Sequence, residues 1–146
     1  MEGIVKKKSA TLAAILLCLV PMLMTTSCTS AFPNDKLDFM WRLDRIVYLN
    51  GHDYFGNECR EETKGTVWYA FARDLVEING DKADNKIGIT TDFGDSLRID
   101  YSMYSSISDL ISCGIWEKVT TFKVEQLTSA SMILTDSNVS LFFTRW

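Results

Sequence analysis

The sequence predicts an all-β fold of about eight antiparallel strands, closed into a barrel or packed as a sandwich. Three observations predict it. Beyond residue 35, apolar side chains recur with a period of two, Gly, Asn and Asp clusters break the pattern at regular short intervals, and helical spacing is confined to one short stretch. Strands alternating with helices, the mark of a parallel sheet, are absent from the pattern. The 146 residues, 47% of them hydrophobic and 23% charged, suit one globular domain, and the formal net charge of -4 argues against a nucleic-acid partner.

The first 27 residues read as a signal peptide. Lys6, Lys7 and Lys8 precede an apolar run over residues 10–24, and Thr25, Thr26 and Ser27 lead to Cys28. The run falls short of the roughly 20 residues that span a bilayer as a helix, and Pro21 interrupts it. Met24-Thr25-Thr26-Ser27-Cys28 resembles a bacterial lipobox, with Thr25 where Leu is usual; ordinary signal cleavage and a retained anchor are the alternatives. Lipidation of Cys28 would make residues 28–35 a tether and residues 36–146 the folded domain, held on the membrane by its acyl chains. No acidic run follows Cys28, which favours the periplasmic side of the outer membrane over the cell surface. Loss of Lys6, Lys7, Lys8 and Glu2 leaves 12 basic and 18 acidic side chains, a net charge of -6. Cys59 and Cys113 then remain, to pair in an oxidising compartment or to sit apart as buried thiols. With one His they cannot complete a structural zinc site, and no metal or cofactor is expected.

The strands follow in order. Trp41, Leu43, Val47 and Leu49 share one face of the first, with Arg45 the odd member, and Asn50-Gly51 suits a turn. Val67, Tyr69 and Phe71 share the next face, which loses phase at Arg73-Asp74 before Val76 and Ile78, as at a bulge or tight corner. Asn79-Gly80 and residues 81–85 read as a loop before Ile87, Ile89 and Thr91. Leu97, Ile99, Tyr101 and Met103 alternate with polar residues as one strand. Ile107, Leu110 and Ile111 have helical spacing, so one short helix or 3₁₀ turn is expected there, with Ser106 as its N-cap and Gly114 as its stop. Phe122 and Val124, then Met132 and Leu134, then Val139, Leu141 and Phe143 form a closing meander.

These residues resemble the small lipocalin-like lipoproteins of Gram-negative gut bacteria. The likeness lies in Cys28, the strand Phe39-Met40-Trp41-Arg42-Leu43, the strand Trp68-Tyr69-Ala70-Phe71, and the closing strands through Leu141-Phe142-Phe143-Thr144-Arg145. The resemblance implies an up-and-down barrel, and it implies that Arg145 of the last strand packs across Trp41 of the first. Lipocalins usually carry Gly two positions before that Trp, where this chain has Phe39.

No Gly-x-Ser-x-Gly elbow, phosphate loop or His-Glu-x-x-His is present, so the chain is expected not to be an enzyme. His52, the one histidine, reads as a solvated side chain at a barrel mouth rather than part of a nucleophile set with Asp53 and Cys59. Asp81, Asp84 and Asn85 lack the spacing of a calcium loop. Trp41, Trp68, Tyr69, Phe71, Tyr101, Phe122 and Phe143 are the candidate ligand-binding or core aromatics, because a pocket wall and a filled core use the same side chains. Trp116 and Trp146, if exposed beside Phe142, would make a docking patch. Asp95-Ser96-Leu97 resembles an acceptor triplet for O-glycosylation, against the plainer reading of a bare turn. The expected function is a non-enzymatic, lipid-anchored envelope lipoprotein that holds a small apolar or amphiphilic ligand; the alternative is a filled barrel that docks an envelope protein.

Overall fold

The computed structural model describes residues 36–80 and 82–146, with Asp84 by its backbone alone; the expected signal peptide, Cys28 and the expected tether lie outside the described residues. Strands β1 (Met40–Tyr48), β2 (Glu61–Ala72), β3 (Leu75–Gly80), β4 (Ala83–Asp92), β5 (Ser96–Asp100), β6 (Val119–Leu127), β7 (Ser131–Thr135) and β8 (Val139–Arg145) follow one another around a closed antiparallel barrel. β8 returns to β1, with Trp41 opposite Arg145 and Leu43 opposite Phe143, so the sheet closes on itself and the sandwich does not form. Because each strand reverses the last, the β1–β2, β3–β4, β5–β6 and β7–β8 connections share one end, the mouth. The chain entry and the other three connections share the floor.

The inward face holds Trp41, Leu43, Val67, Tyr69, Val76, Ile78, Leu97, Ile99, Phe122, Met132, Leu134 and Leu141, all buried. Period-two alternation places them there, with two corrections to the expected phase. Pairing slips between Leu43 and Arg45 against both β2 and β8. Ile46 and Tyr48 therefore turn inward in place of Val47 and Leu49, and Leu49 is exposed. The same slip resolves the odd Arg45: it faces outward, beside Glu61 and over the Phe142 ring at 4.0 Å. On β4, Ile87 and Ile89 are 43% and 46% exposed, Thr91 faces outward with them, and Gly88 and Thr90 face the core. Tyr101 causes this inversion, because its ring fills the space where a Cβ on Gly88 would sit, 2.8 Å from Cζ.

The phase loss at Arg73-Asp74 is a tight corner between β2 and β3, with Arg73 at a φ of 58°. β5 ends at Asp100, whose Oδ1 accepts the Ser102 amide, so Met103 lies outside the strand and is exposed. Among the described residues one 3₁₀ turn is found, which spans Ile111–Cys113 and stops at Gly114 (φ 93°). Ser106 is not its cap: the turn starts after Leu110, and the Ser106 hydroxyl instead accepts the Ser108 amide. This β5–β6 connection plugs the mouth, burying Leu110, Cys113 and Ile115, and the Tyr69 hydroxyl donates to Cys113 O at 2.7 Å. At the floor Leu37 is buried, and Trp41 Nε1 donates to its carbonyl at 3.0 Å.

Candidate functional site

The site sits at the mouth, between the plug and the β1–β2 connection. One slip in β1 points Tyr48 inward, and alternation at the start of β2 points Glu62 and Lys64 the same way while Glu61 and Thr63 face solvent. Tyr48 Oη donates to Glu62 Oε2 at 2.8 Å, and Lys64 Nζ donates to Glu62 Oε1 at 2.7 Å. The Lys64 side chain is only 6% exposed, so its stem lies in the barrel and its ammonium is paired rather than solvated. Burial, then the hydrogen bond to Glu62, push the Tyr48 phenol well above its usual range, so Tyr48 serves as a donor and not as a base.

Above this network Trp116 stacks on Tyr48 at 6.1 Å, and Tyr54 meets Trp116 edge-on at 5.5 Å and Phe55 at 5.4 Å. Tyr48, Asp53, Tyr54, Phe55, Glu62, Ile111, Ser112 and Trp116 enclose an open recess of about 200 Å³. Asp53 shapes its outer wall: its carboxylate accepts the amides of Phe55 and Asn57 and the side-chain amide of Asn57. The hydrogen bond from Asn57 is the main reason its carboxyl is held below the ordinary value of 3.8. A lowered native pKa stabilises above the ordinary value and is lost as pH falls through the native one. Acidification is therefore expected to loosen this loop, read as faster hydrogen exchange of the Phe55 and Asn57 amides relative to the core; unchanged relative protection to below pH 3 would refute it.

The expected site residues separate. Trp41, Tyr69, Phe71, Tyr101, Phe122 and Phe143 are packed core. Trp68 faces outward instead, because Val67 and Tyr69 take the inward positions on either side of it. Arg145 stands opposite Trp41 in the β1–β8 register, and its guanidinium lies 3.2 Å from the centre of the Phe39 ring and donates to Ser129 O. Cys59 and Cys113 are both thiols, Cys59 half-buried near Glu61 O and Cys113 in the plug. Trp116 and Trp146 share no patch with Phe142, since Trp116 joins the mouth, Trp146 meets Trp68, and Arg45 covers Phe142. His52 lies at the mouth, with Nδ1 2.9 Å from Asn50 O. Ser96 opens β5 at the floor, with its hydroxyl on Asp95. Asp81 and the Asp84 side chain lie outside the described residues, among which no cluster of His, Cys, Asp and Glu could hold a metal.

Sequence reasoning did not single out Tyr48, Glu62 or Lys64 as a site, and it placed Trp116 in a docking patch rather than at the mouth. The alternation Glu61-Glu62-Thr63-Lys64 carries the available signal, since a strand here puts Glu62 and Lys64 on one face, opposite in charge and within reach of each other. Tyr101 adds a second buried polar atom. Its hydroxyl has no partner among the described residues, and burial, then Tyr104, raise its pKa far above the usual range. Tyr101→Phe is therefore expected to stabilise the fold by about 1 kcal/mol, read as a higher urea midpoint; a lower midpoint would mean that the hydroxyl is satisfied.

Eight strands in sequential order, closed first to last above a floor and beneath a plug, define an up-and-down barrel of the size that is filled by side chains or holds one small ligand. The chain belongs to the lipocalin-like domain family, whose model matches residues 22–146. It is similar in fold to the crystal structure of a lipocalin-like protein from Bacteroides uniformis ATCC 8492, at 20% identity and a TM-score of 0.59, over 76% of this chain and 99% of that one. It is also similar to an uncharacterised protein from Bacteroides eggerthii DSM 20697, at 17% identity and a TM-score of 0.58, over 74% of this chain and 98% of that one. No curated protein matches the chain.

Proposed function

We propose that the protein is a non-enzymatic, lipid-anchored lipoprotein of the outer membrane, facing the periplasm, that holds one end of a small apolar or amphiphilic molecule at its barrel mouth. The observation that carries the binding reading is the recess itself, with aromatic walls from Tyr48, Tyr54, Phe55 and Trp116 and polar groups from Glu62 and Ser112. Apolar walls with a few fixed polar groups suit small-molecule recognition. At about 200 Å³ the recess takes part of a ligand, and the aromatic core beneath leaves the rest of that ligand outside. The anchoring reading rests on the sequence around Cys28.

Native mass spectrometry of the protein extracted from its own membrane tests both parts. A stoichiometric adduct that disappears in Trp116→Ala, while the circular dichroism spectrum holds, supports the binding reading, and a consistently empty protein overturns it. The intact mass reports acylation of Cys28 separately, and a glycan on Ser96 would appear in the same spectrum. Leu75, Ile87 and Ile89, exposed together on β3 and β4, favour a second reading in which the outer face docks an envelope protein.

A further inference from the structure

A second concave surface lies on the outside of the barrel, at the floor end and away from the mouth. Met40 of β1, Ala70 of β2 and Glu77 of β3 are cross-strand neighbours in one row, and Trp68 and Asn79 are neighbours in the next. Ala70 is the smallest member, so the sheet is hollow there. Trp146 follows β8, and its amide is tied to Met40 O at 3.0 Å, which holds its indole against Trp68 although 75% of the residue is exposed. The two indoles meet at 82° with centres 4.7 Å apart, forming a corner. Together these six residues enclose an open groove of about 370 Å³.

The polar content of the groove selects its occupant. Glu77 is its one ionisable side chain, half-buried, and it has neither a hydrogen bond nor an ion pair among the described residues. No Lys or Arg lines the groove. A neutral apolar occupant would cover this carboxylate without supplying a partner, and an anion would meet its charge directly. A cation with apolar substituents satisfies the whole lining: its charge faces Glu77 and the indole faces, and its alkyl groups lie on Met40 and Ala70. The geometry points to a binding site for an organic ammonium group in the groove of Trp68, Trp146 and Glu77. Such a group belongs equally to a free amine or to a lipid headgroup, and the test separates these sources.

The full chain in a non-ionic detergent is titrated with tetramethylammonium chloride, against sodium chloride at matched ionic strength, while the indole N–H resonances are followed by NMR. Saturable shifts of Trp68 and Trp146, with Trp41 still, are expected. Glu77→Gln is expected to weaken binding roughly fivefold or more, and Trp146→Ala to remove the shift of Trp68. Both variants alter side chains outside the core, and unchanged thermal melting confirms their folding. Glycerophosphocholine binding more tightly than tetramethylammonium assigns the site to a headgroup; weaker binding assigns it to a free amine. No saturable shift, or binding that survives both substitutions, overturns the site.

Discussion

Truncating Trp41 to alanine is expected to cost about 3–5 kcal/mol, the range for deleting a buried aromatic side chain. Trp41 is completely buried at the floor, and its indole N–H is hydrogen-bonded to Leu37 O, so the change leaves both a cavity and an unpaired carbonyl. Trp41→Phe keeps most of the volume and loses only the donor, which should cost appreciably less and leave a folded variant to measure. Arg145→Ala is expected to cost about 1 kcal/mol, because its guanidinium lies on Phe39 at the surface. Double-mutant cycles in urea should therefore show a larger coupling for Arg145 with Phe39 than for Arg145 with Trp41. The reverse order would show that the contact across Trp41, which the family resemblance implies, outweighs the one on Phe39.

A second large loss is expected at Gly80, the last residue of β3. Its φ is 111°, and a Cβ there would overlap the Thr66 carbonyl oxygen and stand 2.8 Å from Thr66 C. Backbone atoms cannot swing aside as a side-chain tip can, so β2 and β3 would have to separate. Gly80→Ala is expected to cost on the order of 3–5 kcal/mol, a large part of a small domain's whole stability. Gly51→Ala supplies the comparison: φ is 72° but no atom lies within 4 Å of the added Cβ, so only the strain of a left-handed residue remains, about 1–2 kcal/mol. Equal losses in the two variants, read from thermal or urea unfolding, would show that the overlap with Thr66 is relieved at no cost.

The strand order and the closing meander were legible because period-two patterning and turn residues are local signals. Met132, Leu134, Val139, Leu141 and Phe143 lie on the faces their spacing predicts. Register is not local. Nothing in Leu43-Asp44-Arg45-Ile46 marks the slip that turns Tyr48 inward, because it arises from pairing with β2 and β8 at once. Ile87-Gly88-Ile89 misled for a related reason: two β-branched residues suggest an inward face, but the space opposite is taken by Tyr101, just past the end of β5. The mouth was hidden on both counts, since Tyr48 depends on the slip and Trp116 reaches it only through the path of the plug. The departure at Phe39 was visible, and its consequence was not: Phe39 provides the surface on which Arg145 lies.

The seam between β1 and β8 also sets a timetable. Trp41 and Arg145 stand about 100 residues apart in the chain, a separation whose loop-closure entropy must be met before pairing returns anything, so slow folding is expected for this topology. β1 leaves the ribosome first and waits for the last seven-residue strand before its second edge is covered. Until then the chain has a sheet open at both edges and an unsealed interior. That incomplete state is the form most exposed to edge-to-edge association. Losing the residues of β8 would hold the chain there, so the end of the sequence governs when the beginning becomes stable.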